Sequence, residues 1–237
     1  MRKKQKLWMH TFVNLALSFL MLSVGFVCLL PIKSKAAATE TDVYRSGYST
    51  DGVSLMFNVY WGTEEVYRIL DVLDEYNAKS TFFIGGCWAD DNVECLKEIV
   101  NRGHELGNHG YFHREQNTLD ERGNREEILR CNQFIALAVG KEPIFFAPPS
   151  GAYSDATLSA AKKLNMKTVL WSKDTIDWRD KDASIVYTRA TKSVQAGAFV
   201  LMHPMAHTAD ALPNILKEYK RRGLSAITVG ENLRIGE

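Results

Sequence analysis

The sequence of 237 residues has little of several features that would point to specialised classes of protein. It contains no internal repeat and no low-complexity segment, which argues against repeat and disordered architectures. No glycine-rich loop follows the first strand that the pattern predicts, and this weakens a nucleotide-binding interpretation. What remains is a composition of 46% hydrophobic and 24% charged residues, which is typical of one globular domain of ordinary size.

Cysteine is also scarce. Four cysteines occur, and the three that lie beyond residue 38 are Cys87, Cys95 and Cys131. An odd number in an exported domain leaves at least one thiol unpaired. One interpretation is a Cys87–Cys95 disulfide. The other is a set of buried thiols that pack as small hydrophobic groups, and the usual burial of free cysteine favours it.

Acidic residues are absent from residues 1–38, which hold six Lys or Arg. A basic cluster at 2–6 precedes an apolar run from Leu7 to Ile32, and three alanines follow at 36–38. This order of basic, apolar and small residues is typical of a secretory signal. The apolar run also reaches the ~20 residues that span a bilayer, so a retained membrane anchor stays open. In both cases we expect an exported protein, secreted or held in the cell envelope.

The rest of the chain carries the opposite charge. Residues 39–237 contain 23 basic and 28 acidic residues, a net charge of −5, whereas the whole chain has a net charge of +1. This balance argues against nucleic acid and anionic polymers as partners. A neutral or mixed-charge partner such as a sugar polymer fits better, and we expect a monomer.

Beyond a short linker at 39–50, strand-like runs alternate with helical patterns through residues 51–237. The predicted strands are 53–57, 80–84, 143–146, 167–171, 198–202 and 225–229, and the predicted helices are 64–76, 92–102, 125–139, 154–164, 184–194 and 209–222. Such alternation predicts a parallel sheet with helices outside, as an open doubly wound sheet or a closed barrel. Polar clusters fall at the carboxyl ends of the strands, where barrel enzymes keep their sites.

Two histidines, His109 and His113, stand four residues apart in the run Gly107–His113. On a helical turn this spacing places both imidazoles on one face, close enough to share a metal ion. The alternative is a structural turn with exposed histidines. The pair by itself is a weak signal, and its weight depends on the polar clusters that follow it.

Three polar clusters follow the histidine pair in a fixed order. They are Phe145–Gly151 (FFAPPSG), Trp171–Trp178 (WSKDTIDW) and Leu201–Pro204 (LMHP). Together with the histidine pair they resemble the polysaccharide deacetylases, the carbohydrate esterases built on the NodB homology domain. The resemblance covers roughly Val53 to Glu231. It implies a distorted (β/α) barrel over residues 51–237 and a metal-dependent removal of N-acetyl groups from polysaccharide.

The resemblance assigns roles to four polar residues. It implies that His109 and His113 bind a divalent metal, either zinc or another ion, because two histidines do not decide which. It implies that His203 is the general acid that protonates the departing amine. It also implies that Asp174 is the carboxylate that orients and charges His203. The alternative for His203 is a histidine at a strand end whose ring is satisfied by the backbone.

Substrate contacts are implied in the same way. Leu201 matches an apolar side chain of the acetyl-methyl pocket, and Trp178 matches one wall of the groove. Both residues are also common in ordinary core packing. The segment Pro148-Pro149-Ser150 matches the family segment in which a backbone N–H, here that of Ser150, could face the oxyanion.

The first family motif, Thr-Phe-Asp-Asp-Gly, is altered in this chain. Asn58 stands at the position of the catalytic base, and an amide cannot accept a proton at ordinary pH. Val59 stands at the position of the third metal ligand, and Ala147 replaces an Arg that pairs with the base, so that pair is missing as a unit. Glu64 and Glu65 are candidate substitutes, with Glu64 as the candidate third ligand. The alternative is that they are first-turn acids favoured by the helix dipole.

Three hypotheses for function follow. The first is a metal-dependent N-deacetylase of N-acetylhexosamine polysaccharide, with peptidoglycan as the main expected substrate and chitin-like oligomers second. The second is a glycan-binding protein on the same fold that does not turn its ligand over, which the residues at 58, 59 and 147 favour. The third is an esterase of O-acetyl groups, which would need a weaker base.

Overall fold

The computed structural model describes residue 8 and residues 43–235. The predicted signal or anchor at 1–38 lies outside the described residues except for Trp8, as does Cys28. Within the part of the chain that is described, no helix has both the length and the hydrophobicity needed to cross a membrane.

A single parallel sheet organises the described residues. Its strands are β1 (Val43–Tyr44), β2 (Gly52–Val59), β3 (Thr81–Ile84), β4 (Glu105–Asn108), β5 (Phe145–Phe146), β6 (Lys167–Val169), β7 (Lys173–Asp174), β8 (Phe199–Met202) and β9 (Ser225–Ala226). Their order is β1-β6-β5-β4-β3-β2-β8-β7, with β9 added to β2, and every named pairing is parallel. The edge strands β1 and β7 do not pair with each other, so the curled sheet is an incomplete barrel, which confirms the distorted barrel that the resemblance implies.

Helices connect the strands. They are α1 (Thr63–Glu75), α2 (Gly86–Asp91), α3 (Val93–Asn101), α4 (Glu121–Val139), α5 (Asp155–Lys163), α6 (Ala183–Thr191), α7 (Ala206–Arg221) and α8 (Val229–Leu233). Six of them match the predicted helices to within a few residues. The short α2 and α8 were not predicted, because five or six residues are too few to show a helical period.

The central strand β2 is buried on both faces, and its alternation sorts side chains between two layers. Val53, Leu55, Phe57 and Val59 belong to the core that includes the apolar faces of helices α1 and α7. Met56 packs instead with Phe83 of β3 and Phe145 of β5, on the concave side of the sheet. Asn58 lies two residues after Met56 and therefore points to that same concave side.

The structure changes two predicted boundaries. Residues 39–50 were predicted as a linker, but Val43–Tyr44 form β1 and pair with β6. Two residues at a sheet edge carry no period, so the sequence pattern could not reveal them. The predicted strand at 225–229 ends at Ala226, because the Thr228 side chain accepts a hydrogen bond from the Glu231 N–H and the Glu231 side chain caps in return. That capping box starts α8.

The three described cysteines are free thiols. Cys95 and Cys131 are buried, and the Cys131 thiol donates to the Ile84 carbonyl oxygen at 3.3 Å. Burial raises the pKa of Cys131 to about 12 and that of Cys95 to about 11. The interpretation as thiols packed in the core is confirmed for these two residues, and the alternative of a Cys87–Cys95 disulfide is wrong.

Candidate active site

A pocket of about 370 Å³ opens beyond the carboxyl ends of the strands. Its lining residues are Asn58, Trp61, His109, His113, Ser150, Trp171, Asp174, Trp178, Leu201 and His203. Eight of these ten were predicted site residues, and they come from segments far apart in the sequence. The parallel sheet brings them together because all its strands end at one rim.

His109 follows directly after β4 and is 1% exposed. Its Nδ1 lies 2.7 Å from the Ala147 carbonyl oxygen, which can only accept, so Nδ1 carries the hydrogen and donates. Burial lowers the pKa of His109 to about 3, so the ring is neutral near pH 7. A neutral imidazole with Nδ1–H bonded to a backbone carbonyl leaves Nε2 as a free lone pair, which is the usual arrangement of a metal-binding histidine.

His113 lies near His109 although the segment between them is not a helix. The ring centroids are 5.0 Å apart at an interplanar angle of 67°. The chain turns through positive φ at Gly110 (75°) and His113 (54°), so the predicted helical turn is wrong while the predicted proximity is confirmed. The Tyr60 ring stacks on His113 at 4.1 Å and 18°. Burial lowers the pKa of His113, which also favours the neutral form.

The two imidazoles fit part of a metal site. Among the described residues no group of three or more His, Cys, Asp or Glu is placed to hold an ion. Glu64, the candidate third ligand, is exposed in the first turn of α1, and Glu65 pairs with Arg68 at 2.7 Å. Their interpretation as first-turn acids fits these positions. Val59 is fully buried in the core and does not line the pocket.

His203 is held by a carboxylate, but not by the one predicted. Asp177 is fully buried. Its Oδ2 accepts a hydrogen bond from the His203 backbone N–H at 2.7 Å, and its Oδ1 lies 2.7 Å from His203 Nδ1. Thr208 donates its hydroxyl to the same carboxylate. The predicted partner, Asp174, lines the pocket and accepts from the Ile176 N–H at 2.8 Å. The prediction of an Asp174–His203 contact is therefore wrong.

The physical reason for this correction is local. The run Asp174-Thr175-Ile176-Asp177 offers two carboxylates three residues apart. Ile176 adopts a positive φ of 51°, so the chain turns sharply between them. This turn decides which acid reaches the histidine, and residue types alone do not reveal it.

Asn58 is 3% exposed, and its Oδ1 is one of the buried side-chain atoms without a hydrogen-bond partner in the described structure. It lines the pocket beside the two histidines. Ala147, where the resemblance implies an arginine, is fully buried; its carbonyl accepts from His109, and its N–H donates to the Asn108 carbonyl oxygen. An unpaired buried acceptor is costly, so Asn58 Oδ1 is suited to receive a hydrogen from water or ligand.

The predicted substrate residues are placed as follows. Leu201 is 3% exposed on β8 and lines the pocket, and Trp178 lines it with 52% of its surface exposed. Ser150 also lines the pocket at a positive φ of 55°, within a short 3₁₀ turn at Pro149–Gly151. Pro148 and Pro149 are buried behind it, and neither is among the lining residues.

Sequence reasoning missed four residues of the site: Asp177, Tyr60, Trp61 and Trp171, the last of which lines the pocket without an assigned role. Asp177 lies in the Trp171–Trp178 cluster together with Asp174, and the resemblance pointed to the wrong one of the two acids. Tyr60 and Trp61 were treated only as the residues after the altered first motif, yet Tyr60 stacks on His113 and Trp61 on His203. The available signal was two consecutive aromatic residues at the end of a buried strand, where side chains face the rim.

A family model confirms what the ordered clusters indicate. The model for polysaccharide deacetylases matches residues 46–169, which is more than half of the chain. This chain belongs to the polysaccharide deacetylase family. A peptidoglycan-N-acetylglucosamine deacetylase of Bacillus cereus is 34% identical over 173 residues, which cover 70% of this chain and 81% of that protein.

Similar proteins also occur in Bacillus subtilis and Bacillus anthracis. An uncharacterized protein of Bacillus subtilis, YlxY, is 35% identical over 80% of this chain, and the chain spans only 59% of that protein's length. The crystal structure of a CE4 family pseudoenzyme from Bacillus anthracis gives a TM-score of 0.77 at 35% identity, covering 80% of this chain and 68% of that one. A mutant of that pseudoenzyme, with restored enzymatic activity, gives a TM-score of 0.77 at 33% identity, over 80% and 70% of the two chains.

Proposed function

We propose that this chain is a metal-dependent N-deacetylase of N-acetylhexosamine polysaccharide, with peptidoglycan as its main substrate and chitin-like oligomers second. One observation carries the proposal. The pocket combines two neutral histidines, His109 and His113, with a third, His203, that is anchored to the buried carboxylate of Asp177. Deacetylases of this family need a metal half and an acid half, and both sets of histidines line the same cavity.

The metal half would be formed by His109 and His113. A divalent ion there, zinc as the first candidate, would polarise the acetamide carbonyl and lower the pKa of a water molecule. The pKa values of both histidines are lowered by burial, so no proton has to leave before they bind. Two protein ligands hold an ion less tightly than three, so we expect weak metal binding.

The acid half is formed by His203 and Asp177. Because Asp177 holds Nδ1, the Nε2 of His203 is the nitrogen left to donate a proton to the departing amine. Asp177 also receives the His203 backbone N–H and the Thr208 hydroxyl, so the imidazole cannot rotate freely. This is the arrangement in which a buried carboxylate sets the tautomer and orientation of a general acid.

The base is the weak part of the site. Asn58 can accept a hydrogen bond from the attacking water through its unpaired Oδ1, but it cannot take the proton away. Loss of a general base costs about 10²–10⁴-fold in rate. The proposed activity is therefore a slow one.

A second candidate function is a glycan-binding protein without turnover. The position of Asn58 favours it, since an amide oxygen in a buried pocket can accept the N–H of an acetamide group. The similarity to the Bacillus anthracis pseudoenzyme supports it as well. In both cases the ligand lies outside the cell membrane, so the proposal includes export through residues 1–38, whether that segment is cleaved or retained as an anchor.

The test is acetate release by the purified full chain. Peptidoglycan, N-acetylglucosamine oligomers and an O-acetylated glycan would each be incubated with zinc or cobalt. Chelator-treated protein and the variants His109→Ala and His203→Ala serve as controls. Metal-dependent release from the N-acetyl substrates, lost in both variants, supports the deacetylase. Release from the ester alone would replace it with an esterase. Glycan binding with no release would establish the second candidate.

A further inference from the structure

Two consecutive aromatic residues connect the metal half and the acid half of the site. The Trp61 ring lies parallel to the His203 imidazole, with centroids 5.7 Å apart and an angle of 5°. The Tyr60 ring stacks on His113 and meets Trp61 edge to face at 5.7 Å and 79°. The four rings form one continuous row, His113, Tyr60, Trp61 and His203. Contacts of this geometry are favourable for aromatic rings, so each histidine is supported by its neighbour.

The position of Trp61 is set by the backbone next to it. Gly62 has a φ of 79°, and a Cβ placed there would lie 2.4 Å from the Pro204 carbonyl oxygen. The Gly62 carbonyl also accepts the first hydrogen bond of α1, from the Val66 N–H. The turn between β2 and α1 therefore packs closely against Pro204, the residue that follows His203. This contact holds Trp61 over the imidazole before any ligand arrives.

Only part of the Trp61 indole surface is covered by the contact with His203. Trp61 remains 37% exposed, Tyr60 39% and Trp178 52%, and these are large values for aromatic rings next to a pocket. Exposed aromatic surface that is contiguous with a cavity marks a binding site more often than it marks core packing. Trp61 and Trp178 both line this cavity, although they lie on segments 117 residues apart.

The charges of the residues that line the pocket limit which kinds of ligand can bind there. Of the described residues that line the pocket, none is Lys or Arg, and Asp174 is the one carboxylate. An anionic group would find no Lys or Arg partner among these residues. A neutral ring with an apolar face suits this surface, since two indoles offer broad apolar area and His203 and Asp174 offer polar contacts at its edge.

We propose that Trp61 and Trp178 form an aromatic clamp for a neutral pyranose ring of the polysaccharide, and that Trp61 is a substrate-positioning residue of this chain. The inference rests on the proposed function in that it assumes a carbohydrate ligand. It goes further in assigning the contact to Trp61, which stands over the general acid. A sugar held on that indole lies next to His203, so binding and positioning depend on the same side chain.

The experiment is calorimetric titration of the full chain with the N-acetylglucosamine tetramer, with chelator present so that no turnover occurs. The variants are Trp61→Ala, Trp178→Ala and the conservative Trp61→Tyr. Tyr48→Ala is the matched control, because Tyr48 is 59% exposed and does not line the pocket. We expect the two alanine variants to weaken binding by about tenfold each, as loss of one aromatic contact of ~1.4 kcal/mol would do. Trp61→Tyr should recover most of the affinity, and Tyr48→Ala should bind like the wild type.

Three results would overturn the clamp. Wild-type affinity in both alanine variants removes it while leaving the proposed function intact. Equal losses in Tyr48→Ala and Trp61→Ala, without rescue by Trp61→Tyr, show that the effect is structural. Absence of binding by the wild type rejects the clamp and the carbohydrate ligand together. The acetate assay on the wild type separates the two proposals, since metal-dependent release beside wild-type affinity in both alanine variants rejects the clamp alone.

Discussion

Asp177 holds His203 at two points, through the backbone N–H and through the imidazole Nδ1, and both bonds measure 2.7 Å. Thr208 adds a third bond to the same carboxylate, which is fully buried. A buried carboxylate is tolerated where donors surround it, as they do here. The Asp177 carboxylate therefore has two structural effects. It stabilises the turn before α7, and it orients His203 towards the pocket.

The first prediction compares the two acids of this segment. Asp177→Asn should lower the free energy of unfolding by about 2–4 kcal/mol, since it weakens charge-assisted bonds to buried donors. It should also reduce any acetate release strongly, because the imidazole loses its orientation. Asp174→Asn, which disturbs one bond at a less buried residue, should cost about 1 kcal/mol. Urea denaturation and acetate assays check both variants, and the reverse ranking would contradict the assignment of Asp177.

The second prediction concerns the missing base. Asn58→Asp places a carboxylate on the concave side of β2, in the pocket that His109 and His113 line. We expect acetate release with added zinc to rise by about 10²–10⁴-fold, the usual contribution of a general base. Asn58→Leu, which has a similar volume and no polar atom, is the matched control and should show no gain. If Asn58→Asp stays inactive while it still binds glycan, the deacetylase proposal fails and the glycan-binding candidate stands.

The third prediction is a pH dependence of stability. His104 is 6% exposed, neither of its ring nitrogens has a hydrogen-bond partner, and burial lowers its pKa to about 4. In the unfolded chain its pKa is about 6.5, so the unfolded state binds more protons between these values. The contribution of His104 to the free energy of unfolding is therefore at its full value above pH 6.5 and decreases as the pH drops towards 4.

The expected size of this effect is about 2 kcal/mol between pH 7 and pH 5. Lys79 and Arg102 lower the pKa of His104 further, and Asp74 opposes them. Denaturation curves at several pH values would measure the slope in the wild type and in His104→Phe. The variant should show a flatter profile by that amount. Identical slopes in the two proteins would show that His104 is not buried in its neutral form.

The fourth prediction compares two glycines with similar dihedral angles. Gly62 and Gly140 have φ values of 79° and 75°, so alanine is strained at both. A Cβ at Gly62 would collide with the Pro204 carbonyl oxygen, whereas nothing lies within 4 Å of one at Gly140. Gly140→Ala should therefore cost about 1 kcal/mol. Gly62→Ala should cost more and also weaken binding of the N-acetylglucosamine tetramer, because Trp61 would shift. Equal effects of the two variants on stability and binding would contradict this account.

Much of the fold was predictable from the sequence, for identifiable reasons. Strands β2, β3 and β8 are short apolar runs, and helices α1 and α7 show a clear helical period, so their positions follow from local pattern. Strands β1 and β7 contain two residues each, and α8 contains five. Segments this short exist because a neighbouring strand or a capping pair supplies their hydrogen bonds, and that information is not local.

The candidate site divides in the same way. The order of the polar clusters identified the family and eight of the ten lining residues, because parallel strands bring their carboxyl ends to one rim whatever the loops do. The resemblance also implies that Asn58 stands at the position of the base. Residue identity by itself settles that an amide cannot act as a general base.

The sequence by itself determined the fold class, the histidine pair and the presence of an amide, not a carboxylate, at residue 58. Only the tertiary structure decided that Asp177 and not Asp174 holds His203, and that Tyr60 stacks on His113 and Trp61 on His203. The physical reason is that strand and helix patterns repeat along the chain and can be read locally. The direction of a side chain beyond a strand end depends on positive-φ turns and on close contacts such as that between Gly62 and Pro204, which join distant segments.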